Sequence, residues 1–323
     1  MRKYLLLFTA LISGALVFGQ KKTIQPEDYF KWNTIDSYQI GHTGKIIVYE
    51  LSKLRNDGML VIYNKETGTK DTIHRATKAK INSEENFVVF KIVPEYDTIR
   101  KLKIKKVKKS KYPKDTLGIY LVKEDSLIKV PKLKSFYLPE FGEWMAYILD
   151  DNKEIIPDGL SKKQWDKIKA KKEKIRKKNK EPEVKSKGNR LCFFNPIQSL
   201  KKEFNDVKMV YDGKYDSFFA FRVHQQYDTL DSNFVHLFNT KTLEASKLFS
   251  GVEAGSITFD ESMTQIAFHG TQDTSKVKVF DLFYWNENSG LKKLVDTNHV
   301  ALPEDYSVSD DAYLSFSKDG KKL

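Results

Sequence analysis

A serine able to attack an acyl carbon needs a sharp turn that exposes it and a histidine within reach. The nearest approach is Gly159-Leu160-Ser161-Lys162-Lys163, which lacks the second glycine of a nucleophile elbow and runs into a lysine-rich segment. Ser161 with Gln164 instead has the spacing of a helix capping box. His42, His74, His224, His236, His269 and His299 show no zinc-ligand spacing, and the single cysteine, Cys192, cannot build a thiolate cluster. Cys192 lies inside the apolar run Leu191 to Phe194, where a thiol behaves as a small buried hydrophobe. The acid pairs Glu84-Glu85, Asp150-Asp151 and Asp310-Asp311 stand in polar turns, where solvation gives them no general acid and base role. No glycine-rich phosphate loop occurs. The residues thus assign no catalytic, cofactor-binding or metal-binding position, and no cofactor is expected.

The elements that would position any site are repeats. A strand-length apolar run closed by an aromatic returns as Gly44-Lys45-Ile46-Ile47-Val48-Tyr49, Glu85-Asn86-Phe87-Val88-Val89-Phe90, Gly142-Glu143-Trp144-Met145-Ala146-Tyr147, Asp216-Ser217-Phe218-Phe219-Ala220-Phe221 and Thr264-Gln265-Ile266-Ala267-Phe268. The closing aromatics Tyr49, Phe90, Tyr147, Phe221 and Phe268 follow one another at intervals of 41, 57, 74 and 47 residues. A propeller blade of four strands takes about 40 to 50 residues, so the two longer intervals carry insertions. A second element recurs later in each unit. Leu60 to Gly68 (LVIYNKETG) is echoed by Val235 to Leu243 (VHLFNTKTL), and more loosely by Leu191 to Pro196 and Phe283 to Gly290. Asparagine and glycine there suit a strand entering a hairpin. Two elements in fixed order favour an all-β propeller over an antiparallel sandwich. A sixth copy opens at Phe316-Ser317-Lys318-Asp319-Gly320, and its closing aromatic falls two residues past Leu323. The expectation is a β-propeller of five blades plus an incomplete last one.

Arg2 and Lys3 precede the apolar stretch Tyr4 to Phe18, the layout of a secretory signal peptide that is too short to span a bilayer. Val17 and Gly19 supply small residues before a cut that leaves Gln20 first, and no cysteine there permits lipidation. The domain reading is therefore signal peptide 1–19, then propeller 20–323 with a charged insertion at 157–187. Export without disulfides fits a bacterial envelope, with a periplasmic or secreted destination.

The net charge of +13 is local. Lys101 to Lys114 is one lysine run, in which Leu102 and Ile104 alternate with lysines as a strand face does. Lys162 to Lys180 is the other. Pro157-Asp158-Gly159 turns the chain into it, and Trp165, Ile168 and Ile175 are too sparse for a buried face, which predicts a solvated lysine-rich helix. No aromatic ladder accompanies either run, so nucleic acid is not an expected partner. Contact of the lysine-rich helix with a membrane surface is the alternative to plain solvation.

Several stretches resemble the N-terminal region of large secreted prolyl oligopeptidase-family serine peptidases of Bacteroidetes type. They are Phe90 to Lys103 (FKIVPEYDTIRKLK) running on to Ile119, Phe136-Tyr137-Leu138-Pro139-Glu140 before the third repeat, the lysine-rich insertion, and Leu314 to Leu323. The resemblance implies a propeller that filters peptide substrates for an α/β-hydrolase domain carrying the Ser, Asp and His triad. None of those triad positions is in this sequence, so the chain reads as the front portion of such a peptidase, truncated before the catalytic domain and inactive alone. The alternative is a non-enzymatic secreted propeller that binds peptide, glycan or protein.

Overall fold

Strands buried on both sides must be apolar without interruption, whereas strands with one wet face alternate. The five repeat motifs are of the first kind, and each forms the second strand of a four-stranded antiparallel meander. The computed structural model describes residues 23–323 apart from 54, 152–159, 180–183, 187, 228–229, 297, 304–305 and 312. The cleavage position at Gly19 and Gln20 and the flanks of the 157–187 insertion lie outside the described residues.

The first blade comprises β1 (Asn33–Ile40), β2 (Ile46–Lys53), β3 (Met59–Asn64) and β4 (Thr69–His74), paired in that order. The second comprises β5 (Ala76–Ile81), β6 (Phe87–Ile92), β7 (Asp115–Leu121) and the first half of β8 (Ser126–Tyr137). The other half of β8 opens the third blade, followed by β9 (Met145–Leu149). A short β10 (Val184–Ser186) in the insertion pairs with the fourth blade, and β11 (Asn189–Asn195) and β12 (Leu200–Tyr211) complete the third. The end of β12 opens the fourth blade with β13 (Phe218–Tyr227), β14 (Leu230–Asn239) and β15 (Glu244–Gly251). The fifth is β16 (Glu253–Phe259), β17 (Gln265–Thr271), β18 (Asp281–Asn286) and β19 (Gly290–Val295).

β8 and β12 each serve two blades because the chain kinks inside them. Ser126 to Pro131 pair with β7 and Leu133 to Tyr137 with β9, and Lys132 between them is left-handed at φ 65°. Asp206 at φ 63° plays the same part in β12, and Arg75 at φ 64° marks the step from β4 to β5. One left-handed residue redirects an outer strand into the first strand of the next blade.

The core consists of slabs between successive blades. Val88 and Phe90 face Ile46, Val48, Leu60 and Ile62 of the first blade. On the other side of the same strand Phe87 and Val89 face Met145, Tyr147 and Leu149 of the third. Phe193, Phe219, Phe221 and Phe238 fill the next slab, and Phe218, Phe249, Ile266 and Phe268 the last. Every closing aromatic from Phe90 to Phe268 packs back against the preceding blade, and these four are buried. Tyr49, the fifth expected core aromatic, is only half-buried. Among the described residues the first blade has none before it, and β1 is exposed along almost its whole length.

Both insertions are connections between second and third strands. In the second blade the segment read as strand-like is a helix, α1 (Tyr96–Ile104). Leu102 pairs with Ile99 at helical spacing, both half-buried, while Ile104 is exposed, so the local alternation gave the wrong period. Asp97 in the first turn and Lys101 and Lys103 in the last suit the helix dipole. In the third blade α2 (Lys162–Lys178) is the expected solvated helix and buries no residue.

Candidate functional site

The turns at one end of the blades are built to a shared pattern. Between third and fourth strands, the side-chain oxygen of an asparagine accepts backbone N–H groups from the turn that follows. Asn64 accepts from Glu66 and Thr67, Asn195 from Ile197 and Gln198 at 3.0 and 2.9 Å, Asn239 from Lys241 and Thr242, and Asn286 from Ser289. Four residues after the asparagine stands a left-handed residue: Gly68, Ser199, Leu243 or Gly290. These are the hairpins expected from the second repeated element.

The turns between first and second strands tie one blade to the next. Their left-handed position is Gly44, Glu85, Gly142 or Met263. Glu85 of the second blade reaches into the first, where its carboxylate accepts from the backbone N–H groups of Thr43, of Lys45 at 2.9 Å and of Ile46 at 2.7 Å. Burial by itself would raise the Glu85 carboxyl, but the hydrogen bonds outweigh it and hold the group below the usual carboxylate range. Its side chain is buried, contrary to the solvated acid expected for Glu84-Glu85, because the turn folds back on the neighbouring blade instead of into water. Asp216 of the fourth blade repeats the device, accepting from Glu143 and Trp144 N–H at 2.8 Å each. A Cβ on Gly142 would lie 2.0 Å from the Asp216 carboxyl carbon, so only glycine fits beneath it. Sequence reading missed this role, although a signal existed. The first position of the motif alternates Gly44, Glu85, Gly142, Asp216, an acid each time following a glycine turn in the preceding blade.

Between the third and fourth blades these turns enclose a groove of about 710 Å³ lined by Glu84, Glu143, Trp144, Asn195, Asp216 and Lys241, among others. Glu143 is held from both sides, accepting from Asn86 Nδ2 at 2.9 Å and Asn195 Nδ2 at 3.4 Å. Trp144 is buried against Phe238, the two ring centroids 6.0 Å apart in an edge-to-face arrangement. Carboxylates of fixed orientation beside an aromatic ring can hold cationic and amide groups of an extended chain.

The residues considered for chemistry are scattered. Ser161 caps α2, with Ser161 N–H donating to Gln164 Oε1 at 2.8 Å and Gln164 N–H to Ser161 Oγ at 3.4 Å. It stands in a connection at the opposite end of the blades from the groove. Among the described residues no three His, Cys, Asp or Glu side chains are grouped to hold a metal ion. His236 stacks on Phe221 at 5.0 Å, and burial, with Lys247 nearby, lowers its pKa to about 4. Cys192 is fully buried, and burial pushes its thiol up to about 12. A thiol-specific reagent is therefore expected to leave the native protein unlabelled and to modify Cys192 only on unfolding in denaturant. Rapid labelling without denaturant would show that the slab between the second and third blades opens.

No protein-family model and no curated protein matches the chain. Among solved structures it is similar to the β-propeller domain of the Trilobed protease from Pyrococcus furiosus, with 11% identity and a TM-score of 0.42 over 81% of this chain and 72% of that one. It is similar to dipeptidyl peptidase 4 from Porphyromonas gingivalis at 10% identity and a TM-score of 0.41, over 82% of this chain and 40% of that one. An oligogalacturonate lyase from Vibrio parahaemolyticus gives 10% and 0.41, over 81% and 65%. The chain thus spans about two-fifths of the dipeptidyl peptidase. These likenesses concern fold, which the strand order establishes in its own right as an all-β propeller.

Proposed function

We propose that this chain is the propeller region of an exported prolyl oligopeptidase-family serine peptidase, and that its blades admit extended peptide segments while turning away folded proteins. The observation that carries the reading is the groove between the third and fourth blades. Glu84, Glu143 and Asp216 line it together with Trp144, a setting in which an extended segment can lie. The resemblance in Phe90 to Ile119 supports the family, and Arg2, Lys3 and the apolar stretch Tyr4 to Phe18 support export to the periplasm or medium. Within this region the role is binding. In that family the chemistry belongs to the α/β-hydrolase domain.

Titration of the chain with an extended lysine-bearing peptide is the test, with a folded domain of equal charge as comparison. The peptide is expected to bind and the folded domain not, and Glu84→Gln is expected to weaken the peptide about fivefold, the effect of one exposed charge at the rim. Equal binding of the folded domain, or a Glu84→Gln variant that binds as before, contradicts the filter. So does fluorophosphonate labelling of the chain that Ser161→Ala abolishes.

A further inference from the structure

We infer that the end of the propeller opposite the groove is a docking surface for an anionic lipid bilayer. In an antiparallel meander every connection from second to third strand leaves at the same end of the blades. The connections of the second, third and fifth blades therefore share one face, though in sequence they lie far apart. The first holds nine cationic residues and no acid between Arg100 and Lys114. The second holds α2, with ten cationic and two acidic residues between Lys162 and Lys178.

In α2 both acids are engaged within the helix, Asp166 by Lys169 at 3.4 Å and Glu173 by Arg176 at 2.7 Å. Lys163, Lys167, Lys171, Lys174 and Lys178 are all exposed. Their spacing of four, four, three and four residues places them along one stripe of the helix. Charge of this density fits any polyanion. The aliphatic residues between the cations decide among them.

On each of the three connections an exposed aliphatic side chain stands between two cations. Ile104 is 69% exposed between Lys103 and Lys105, Ile175 is 48% exposed between Lys174 and Arg176, and Val277 is 82% exposed between Lys276 and Lys278. One exposed aliphatic residue means nothing, since folded surfaces carry many. Three on three connections of one face match a bilayer interface. There the apolar tip enters the headgroup region while lysine stems lie along it and their amines reach phosphates. A soluble polyanion, nucleic acid included, gains nothing from Ile104 or Val277.

The test is co-sedimentation of the full chain with phosphatidylcholine vesicles, with and without phosphatidylglycerol. Binding is expected to the anionic vesicles alone and to fade at high salt. Replacing Lys167, Lys171 and Lys174 by Gln is expected to weaken it about a hundredfold, from about fivefold for each lysine near an anionic surface. Ile104→Ser with Val277→Ser, which leaves the charge untouched, is expected to weaken it about tenfold. All five positions are exposed, so the melting temperature serves as the control for folding. Equal binding to neutral vesicles, or none to anionic ones, overturns the inference. Binding to a soluble sulfated polysaccharide together with unchanged vesicle binding by the Ile104→Ser, Val277→Ser variant overturns it too, in favour of a soluble polyanion.

Discussion

Phe221→Ala is expected to lower the free energy of unfolding by about 4 kcal/mol, the loss typical of a large aromatic removed from a closed core. Tyr49→Ala, at the same position of the repeat, is expected to lose only about 1 kcal/mol, in line with partial burial. Phe221 is 1% exposed, with Phe204 at 4.8 Å, Phe193 at 5.8 Å and the His236 ring stacked on it at 5.0 Å. It fills the slab between its own blade and the one before, and removal leaves a cavity that flanking sheets cannot close. Tyr49 lies half-buried on the first blade. Urea melts of the two variants decide the matter. Equal losses would mean that the closing aromatics do not pack backward.

The other large effect is expected at Glu85. Glu85→Ala removes the acceptor for three backbone N–H groups in the turn of the first blade, and is expected to cost about 3 kcal/mol. Glu85→Gln keeps the shape but offers a single neutral acceptor oxygen, and about 2 kcal/mol is expected. The pH dependence separates charge from shape. Because the folded-state pKa of Glu85 lies below its ordinary value of 4.5, its contribution is complete above that value and is lost as pH falls below it toward the folded pKa. Stability of the wild type should therefore fall more steeply with acid below 4.5 than that of Glu85→Gln. Parallel curves for the two proteins would remove the carboxylate from its assigned place between the blades.

Short-range features were legible in the residues. The repeated apolar runs are strands because period and composition leave no other element of that length, and all five proved to be second strands of their blades. The asparagine turns and the Ser161 capping box were readable for the same reason. Each is closed by hydrogen bonds across two or three residues, so the local sequence contains both partners. Where a local pattern served two periods, it misled. Leu102 and Ile104 fit a strand face, yet Ile99 and Leu102 fit a helix, and the structure shows α1.

By itself, then, the sequence determined the all-β class, the blade repeat, the two basic insertions and the asparagine hairpins, all properties of residues near one another in the chain. Only the tertiary structure decided which face of each second strand meets which neighbour, and hence why Phe221 is buried and Tyr49 is not. It alone brought Glu85 onto the turn of Thr43 to Ile46 and Asp216 onto that of Glu143 and Trp144, across more than 35 and 70 residues respectively. It also set the lysine-rich connections on one face and the carboxylate groove at the other end. These are relations between blades, fixed by how stacked sheets bury their faces, and no stretch of sequence contains both sides of such a contact.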